Sequence, residues 1–179
     1  KAEKAIDLSN LEVKRVFDAD NDAIKSIYDI YKECGEKMFL EDGLLHWADP
    51  LPVSTIRNEC LSKEIHLVID KTDNYPVAFF SISERPSPYF DVETHALYFG
   101  RVAVSPSLWR KGIGSYCFNY ALKEAQKREC VAIRNTVYEK DTRAVEFFKS
   151  FGYTELYKRT TKHFVVLCVE RLVNTQDSK

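Results

Sequence analysis

The sequence predicts an α/β (α+β mixed) fold, a single domain with a mixed central sheet of about seven strands and helices on both faces. Three observations predict it. Apolar residues follow a strand-like pattern in seven segments and recur at helical spacing in four others. These segments run strand, helix, helix, three strands, helix, strand, helix, strand, strand, an order that suits a mixed sheet covered by helices. The 179 residues contain no repeat, low-complexity tract or Ser/Gly linker, so one domain over residues 1–179 is expected, with 1–10 as a flexible extension and 173–179 as a flexible tail.

Each element has a local cause. Leu11 to Phe17 alternates apolar and polar side chains and reads as a strand. Asp18 and Asp20 offer capping oxygens to a helix carrying Ile24, Ile27, Tyr28, Tyr31 and Cys34, with Gly35 as its stop. Glu41 to Pro52 reads as a loop, and Ser54 as the cap of a short second helix. Ile65–Ile69 and Val77–Ile82 read as an antiparallel hairpin around Asp73 and Asn74. Ala96–Val104 is a long apolar strand, and Ile113 to about Arg128 an amphipathic helix. Val131–Val137 reads as a strand and Thr142–Phe151 as a helix ended by Gly152. Tyr153–Tyr157 and His163–Val169 read as the last two strands.

Composition excludes several classes. A formal net charge of -1 lacks the basic excess of a nucleic-acid binder. No apolar run approaches the ~20 residues that span a bilayer, and no basic amphipathic stretch marks a membrane surface. The five cysteines and four histidines are scattered, without a CxxC pair or HxxxH spacing, so neither a disulfide framework nor a metal site is signalled. Reduced thiols and a cytoplasmic location are the expectation.

The stretch from Leu97 to Ser115, LYFGRVAVSPSLWRKGIGS, carries the chemistry. A buried strand runs into Ser105-Pro106, then a loop, then Gly112-Ile113-Gly114 opening a helix. The first turn of a helix presents free N–H groups at its positive dipole end. Glycines remove the Cβ atoms that would hold a ligand away, and Arg110 and Lys111 add cationic charge. A GxG pair alone marks only a tight turn. Strand, Pro-containing loop, basic pair, glycines and helix in succession make a pyrophosphate cradle. The Walker pattern is absent and the dinucleotide fingerprint GxGxxG is incomplete.

This segment resembles the signature of the GNAT superfamily of acyl-CoA-dependent N-acetyltransferases. That signature has Gln or Arg, two residues, Gly, one residue, then Gly or Ala, after a Leu-Ala-Val-like strand. Val102, Ala103 and Val104 match the strand, and Gly112, Ile113 and Gly114 the glycines, while Trp109 stands where the family has Gln or Arg. A second family pattern, Asn-x2-Ala-x3-Tyr-x3-Gly-Phe, reads here as Asp141, Ala144, Phe148, Gly152 and Tyr153, with spacing intact. The resemblance implies acetyl-CoA as cosubstrate, held by Val102, Ala103, Val104, Arg110, Lys111, Gly112, Ile113, Gly114, Ser115, Asp141 and Phe148. It also implies that the Val102–Val104 strand splays from the parallel strand Val131–Val137 to admit the pantetheine arm. Homodimers are common in that family.

Amine acetylation requires an amine freed of its proton, a polarised thioester carbonyl and a tolerated thiolate. A backbone N–H near Val102 is the expected polarising donor. Phe148 stands where the family has a tyrosine and has no proton to give; Tyr138 is the nearest substitute. Strand alternation places Tyr98, Gly100 and Val102 on one face and Arg101 on the other. A free tyrosine hydroxyl titrates near ~10, so a tyrosine at position 98 is expected to hold a water better than to act as base. Glu84 is the first carboxylate to consider, with a solvated strand-end charge as the equal alternative, and His95 comes after it. Trp47, beside His46, and Arg101 are candidate substrate contacts, against core-plugging and ion-pair roles.

The expected function is transfer of an acetyl group from acetyl-CoA to the amine of a small molecule in a ternary complex. The alternatives are a protein or peptide N-acetyltransferase and a catalytically weak acyl-CoA sensor, the latter favoured by Trp109 and Phe148.

Overall fold

The computed structural model describes residues 4–174. It contains β1 (Leu11–Val16), α1 (Asn21–Asp42), α2 (Val53–Ser62), β2 (Glu64–Asp70), β3 (Tyr75–Ser83), β4 (Ala96–Val104), α3 (Ile113–Lys127), β5 (Ala132–Tyr138), α4 (Thr142–Ser150), β6 (Thr154–Thr160) and β7 (Val165–Leu172). Short 3-10 turns stand at Leu8–Asn10 and Pro106–Leu108. The seven strands hydrogen-bond in the order β1-β2-β3-β4-β5-β7-β6, a mixed sheet as the alternation predicts. Contacts divide the chain into two units, one of residues 1–81 and 101–118, the other of 82–100 and 119–179.

In the first unit β1 and β2 pair antiparallel from Leu11↔Asp70 to Val16↔Ile65. Helix α1 buries Ile24, Ile27, Tyr31, Cys34 and Met38, a stripe at three- and four-residue steps, and α2 buries Ile56 and Cys60. Helix α1 is longer than its sequence pattern predicts. Gly35 lies buried inside it, and the left-handed cap is Gly43 with φ 67°. Pro52, not Ser54, is the N-cap of α2, its carbonyl accepting from the N–H groups of Thr55 and Ile56.

In the second unit β4 and β5 run parallel, in register at Ala96↔Ala132, Leu97↔Ile133 and Tyr98↔Arg134. Strands β5 and β7 pair antiparallel from Ala132↔Leu172 to Tyr138↔Val166, and β6 pairs with β7 through a bulge at Glu155/Tyr157. The core here is Leu97, Phe99, Ala121, Ala125, Ile133, Phe148 and Cys168, all buried.

Both segments expected to be flexible make specific contacts. Among residues 4–10, Lys4 makes ion pairs of 3.1 Å with Asp70 and 2.6 Å with Asp73. Of the expected tail 173–179, Val173 donates its N–H to the carbonyl of Val131 at 2.9 Å, and residues 175–179, like 1–3, lie outside the described residues.

Asp70 anchors the β2–β3 turn. Its carboxylate accepts from the Thr72 hydroxyl at 2.7 Å and the Thr72 N–H at 3.0 Å, and faces the Lys4 ammonium. The Thr72 bonds come first in holding its pKa down to about 2, and Lys4 adds to them. A carboxyl whose folded pKa is depressed stabilises the fold above its unfolded value near ~3.9 and loses that contribution as pH falls. Asp70→Asn is therefore expected to lower the melting temperature at neutral pH, with the gap to the parent closing as pH falls toward about 2. Thermal melts of both proteins across that range check it; a gap independent of pH would remove the charge from the explanation.

Candidate active site

Three residues after entering the sheet beside β5, strand β4 loses its neighbour. The register ends at Tyr98↔Arg134. The next carbonyl, Phe99 O, takes its hydrogen bond from the side-chain amide of Asn135, which substitutes for the missing backbone donor. Asn135 Oδ1 is buried and has no partner among the described residues.

Further along β4, Arg101 adopts φ 46°, a left-handed conformation inside a strand, as at a β-bulge. Strict alternation does not pass through such a residue. The face shared by Tyr98, Gly100 and Val102 in the sequence pattern therefore ends at Arg101. The Arg101 guanidinium meets Glu59 Oε2 at 2.9 Å, an ion pair across to α2. The sequence singles out Arg101 but not Glu59, because the pair spans 42 positions.

The end of β4 is pinned within the first unit. Val104 O accepts from Trp109 Nε1 at 2.7 Å and from Cys34 Sγ at 3.1 Å, and the Ser105 N–H donates to Val77 O at 2.8 Å. Burial pushes the Cys34 thiol up to about 12, so it keeps its proton and donates. Trp109, the departure from the family's Gln or Arg, thus ties the strand to the loop after it. Lys37 sits 5.1 Å from the centre of the Trp109 ring, bringing an α1 cation to this loop.

The loop then turns into α3. Arg110 and Gly112 have φ of 66° and 86°, so the backbone passes through two left-handed residues in three positions. A Cβ on Gly112 would come within 3.3 Å of Leu8 Cδ1, and its conformation disfavours any L side chain. Gly112 O accepts from the Tyr116 N–H at 3.0 Å and so starts the helix, which leaves the N–H groups of Ile113, Gly114 and Ser115 without partners inside it. Ile113 is buried and anchors this turn; Arg110 is exposed and Lys111 half-buried. The Tyr116 hydroxyl donates to Leu11 O at 3.1 Å and fixes the first turn of α3 to β1. Val102, Ala103, Val104 and Arg110 to Ser115 all belong to the first unit.

Arg101 borders a narrow crevice in the same unit, together with Tyr31, Leu51, Glu59, Phe79 and Ser81; Trp47 is not among its lining residues. Trp47 stacks on Tyr31 with ring centres 4.6 Å apart and planes 15° apart. The stack depends on Gly35: a Cβ there would stand 2.0 Å from the carbonyl oxygen of Trp47. The loop carbonyl lies directly on the helix backbone, a contact no composition or periodicity signal announces.

The remaining predicted residues lie in the second unit. Asp141 caps α4, its Oδ1 accepting from the Ala144 N–H at 3.2 Å, which explains the Asp-x2-Ala spacing. Phe148 is 6% exposed and packs edge-on against Phe99, Phe147 and Tyr153. Tyr138 packs on Phe164. The Tyr98 hydroxyl accepts from Arg134 Nη1 at 3.3 Å, and Arg134, 4% exposed, also bonds Glu170 at 2.7 Å and Val92 O at 2.7 Å. Glu84 divides its oxygens: Oε1 faces His95 Nε2 at 2.9 Å and Oε2 accepts from Arg128 at 3.2 Å. Tyr98 and Glu84 therefore belong to separate hydrogen-bond networks.

Gly35 supplies a test of the crevice. In an open helix interior alanine is favoured over glycine by ~1 kcal/mol. Here Gly35→Ala is expected to destabilise by about 1–3 kcal/mol, because Trp47 must move off Tyr31. Urea denaturation followed by tryptophan fluorescence measures both sign and cause. A stabilised variant would mean that the loop does not rest on the helix.

Comparisons with known proteins agree with this geometry. The acetyltransferase (GNAT) family profile matches residues 24–153. No curated protein matches the chain by sequence. Among solved structures, the chain is similar to the ribosomal-protein-S18-alanine N-acetyltransferase of Escherichia coli, with TM-score 0.68 and 14% identity over 93% of this chain and 96% of that one. It is similar to YncA of Salmonella typhimurium, solved with its cofactor acetyl-CoA, with TM-score 0.66 and 13% identity over 95% and 98%. It is also similar to a spermidine N-acetyltransferase of Vibrio cholerae, with TM-score 0.64 and 13% identity over 92% and 95%. The strand that loses its partner, the pinned loop and the glycine-opened helix stand where the family profile runs, and the chain belongs to the GNAT family of acetyltransferases, which use acetyl-CoA as cosubstrate.

Proposed function

We propose that this protein acetylates the amine of a small molecule by direct attack in a ternary complex, and that it works in the cytoplasm. The observation that carries the proposal is the stretch from Val102 to the glycine-opened first turn of α3, which shares one unit with the crevice of Tyr31, Glu59 and Arg101. The residues suit acetyl-CoA on two counts. The first turn of α3 offers backbone donors beside Arg110 and Lys111, which suits a pyrophosphate. The left-handed Gly112 keeps that turn clear of a Cβ. Five free cysteines support the cytoplasmic placement.

Bound acetyl-CoA supplies the thioester carbon that the amine attacks. The Val102 N–H is the donor assigned to polarise the carbonyl; a fixed backbone dipole needs no reorganisation as charge develops. Much of the rate then comes from aligning the two reactants. Phe148 gives the departing thiolate no proton. Both oxygens of Glu84 are engaged by His95 and Arg128, and the Tyr98 hydroxyl by Arg134, so water carries the amine's proton outward. The part-buried Arg101–Glu59 pair presents both charges at the crevice, and Tyr31, braced from behind by Trp47, lines it, an arrangement suited to a compact amine better than to an extended peptide.

Two measurements test this reading. Titration calorimetry with CoA is expected to give micromolar to sub-millimolar affinity, which Gly114→Asp abolishes in a folded protein by placing a negative charge at the positive end of α3. No heat at millimolar CoA, or unchanged affinity in the variant, would move the cofactor site elsewhere. Thiol release across a panel of small amines and peptides is expected to favour the small amines, with kcat/KM rising with pH along the amine's own deprotonation. Tyr98→Phe is expected to cost far less than the ~10²–10⁴-fold of a lost dedicated base. A larger loss with the acidic limb abolished would make Tyr98 essential to proton removal and end the water route.

A further inference from the structure

Outside the cradle, Glu84, His95 and Cys130 converge from three segments of the second unit: the end of β3, the start of β4 and the connection between α3 and β5. Glu84 Oε1 lies 2.9 Å from His95 Nε2, Cys130 Sγ lies 3.7 Å from the same nitrogen, and one ligand atom from each residue falls within 4.8 Å of the others. We propose that these three side chains form a binding site for a borderline-soft divalent ion, Zn²⁺, with a water in the fourth position.

The three ligand atoms lie close enough for an ion to gather them. With Zn–N and Zn–O bonds near ~2.1 Å and Zn–S near ~2.3 Å, tetrahedral ligands stand about 3.4 Å apart for N and O and about 3.6 Å for S with either. The observed 2.9 and 3.7 Å differ from these by about 0.5 and 0.1 Å, and the Glu84–Cys130 pair, within 4.8 Å, closes by up to about 1.2 Å as the exposed Glu84 swings onto an ion. Nε2 of a neutral imidazole carries either a hydrogen for Glu84 or a lone pair for the thiol, and cannot satisfy both. A metal ion satisfies all three groups at once, taking the lone pair, the carboxylate and the thiolate as the Cys130 proton leaves to solvent.

Outer contacts already orient the ligands. Arg128 holds Glu84 Oε2 at 3.2 Å and leaves Oε1 directed at His95, while its own charge is met by Glu124 at 3.3 Å. The Val131 N–H donates to His95 O at 2.8 Å and the Cys130 N–H to Ala125 O at 2.9 Å, which fixes two ligands by their backbones. The carboxylate and thiolate charges balance the dication. Cys130 is buried at the floor, whereas His95 and Glu84 are 50% and 45% exposed, so an ion enters from solvent. Bound there, it clips the β3–β4 connection to the α3–β5 connection.

The test uses the whole chain, stripped with a chelator and titrated with Zn²⁺ against a chromophoric competitor, then with Co²⁺. One equivalent of Zn²⁺ at micromolar or tighter affinity, a raised melting temperature and a thiolate-to-cobalt charge-transfer band are expected. His95→Ala, exposed and expected to fold, and Cys130→Ser should each weaken binding by more than a hundredfold, and Arg128→Gln by about 10–100-fold. Circular dichroism verifies that each variant is folded, and His95→Ala stands as the decisive variant if Cys130→Ser is not. No binding at micromolar free zinc, a cobalt spectrum without the thiolate band, or parental affinity in folded His95→Ala would overturn the site.

Discussion

A backbone carbonyl inside a folded protein must find a donor, and β4 loses its β5 neighbour after Tyr98. Beyond Tyr98 two of the strand's carbonyls take side-chain donors instead. Phe99 O takes the Asn135 side chain, and Val104 O takes the Trp109 indole and the Cys34 thiol. Each substitute is a side chain with a defined reach, so each also fixes the position of the segment that carries it. Cys34 ties α1 to the strand end, and Trp109 ties the next loop to the same oxygen. The 3-10 turn at Pro106–Leu108 and the start of α3 inherit their places from these bonds.

That arrangement leaves donors of the right kind in the right order. A strand that ends without a continuous partner offers backbone amides for hydrogen bonding, and a helix that begins a few residues later offers first-turn N–H groups for an anion. Left-handed residues at Arg101, Arg110 and Gly112 make the turns between them. Such conformations in non-glycine residues cost of order 1–3 kcal/mol each and persist only where the surroundings hold them. At Arg101 the surroundings include the ion pair with Glu59. Trp109 replaces the polar side chain usual in the family, and its hydrogen bond to Val104 O gives it a bracing role in the same loop.

Much of the fold and part of the site are legible in the sequence, for reasons visible in particular residues. The β4 segment Ala96–Val104, the GxG turn and the amphipathic α3 depend on local patterns and appear where those patterns place them. The Asp141 cap arises from one side chain reaching an amide three residues on. The sequence pattern ends α1 too early, at Gly35, because glycine commonly stops a helix, whereas here it lies inside one to let the Trp47 carbonyl approach. Strand alternation around Tyr98 does not anticipate a left-handed Arg101, since nothing in an Arg side chain signals positive φ.

By itself, the sequence determined the element order, the family and the segment proposed to cradle the cofactor, because these rest on periodicity and on residues a few positions apart. Tertiary structure decided the partners of isolated side chains: Arg101 with Glu59, Trp47 on Tyr31, Tyr98 with Arg134, and Glu84 beside His95 and Cys130. Those pairs are separated by up to 46 positions between Glu84 and Cys130 (130 − 84) and share no spacing rule. They meet because sheet register and helix packing carry distant segments to the same place, and a linear pattern holds no record of that geometry.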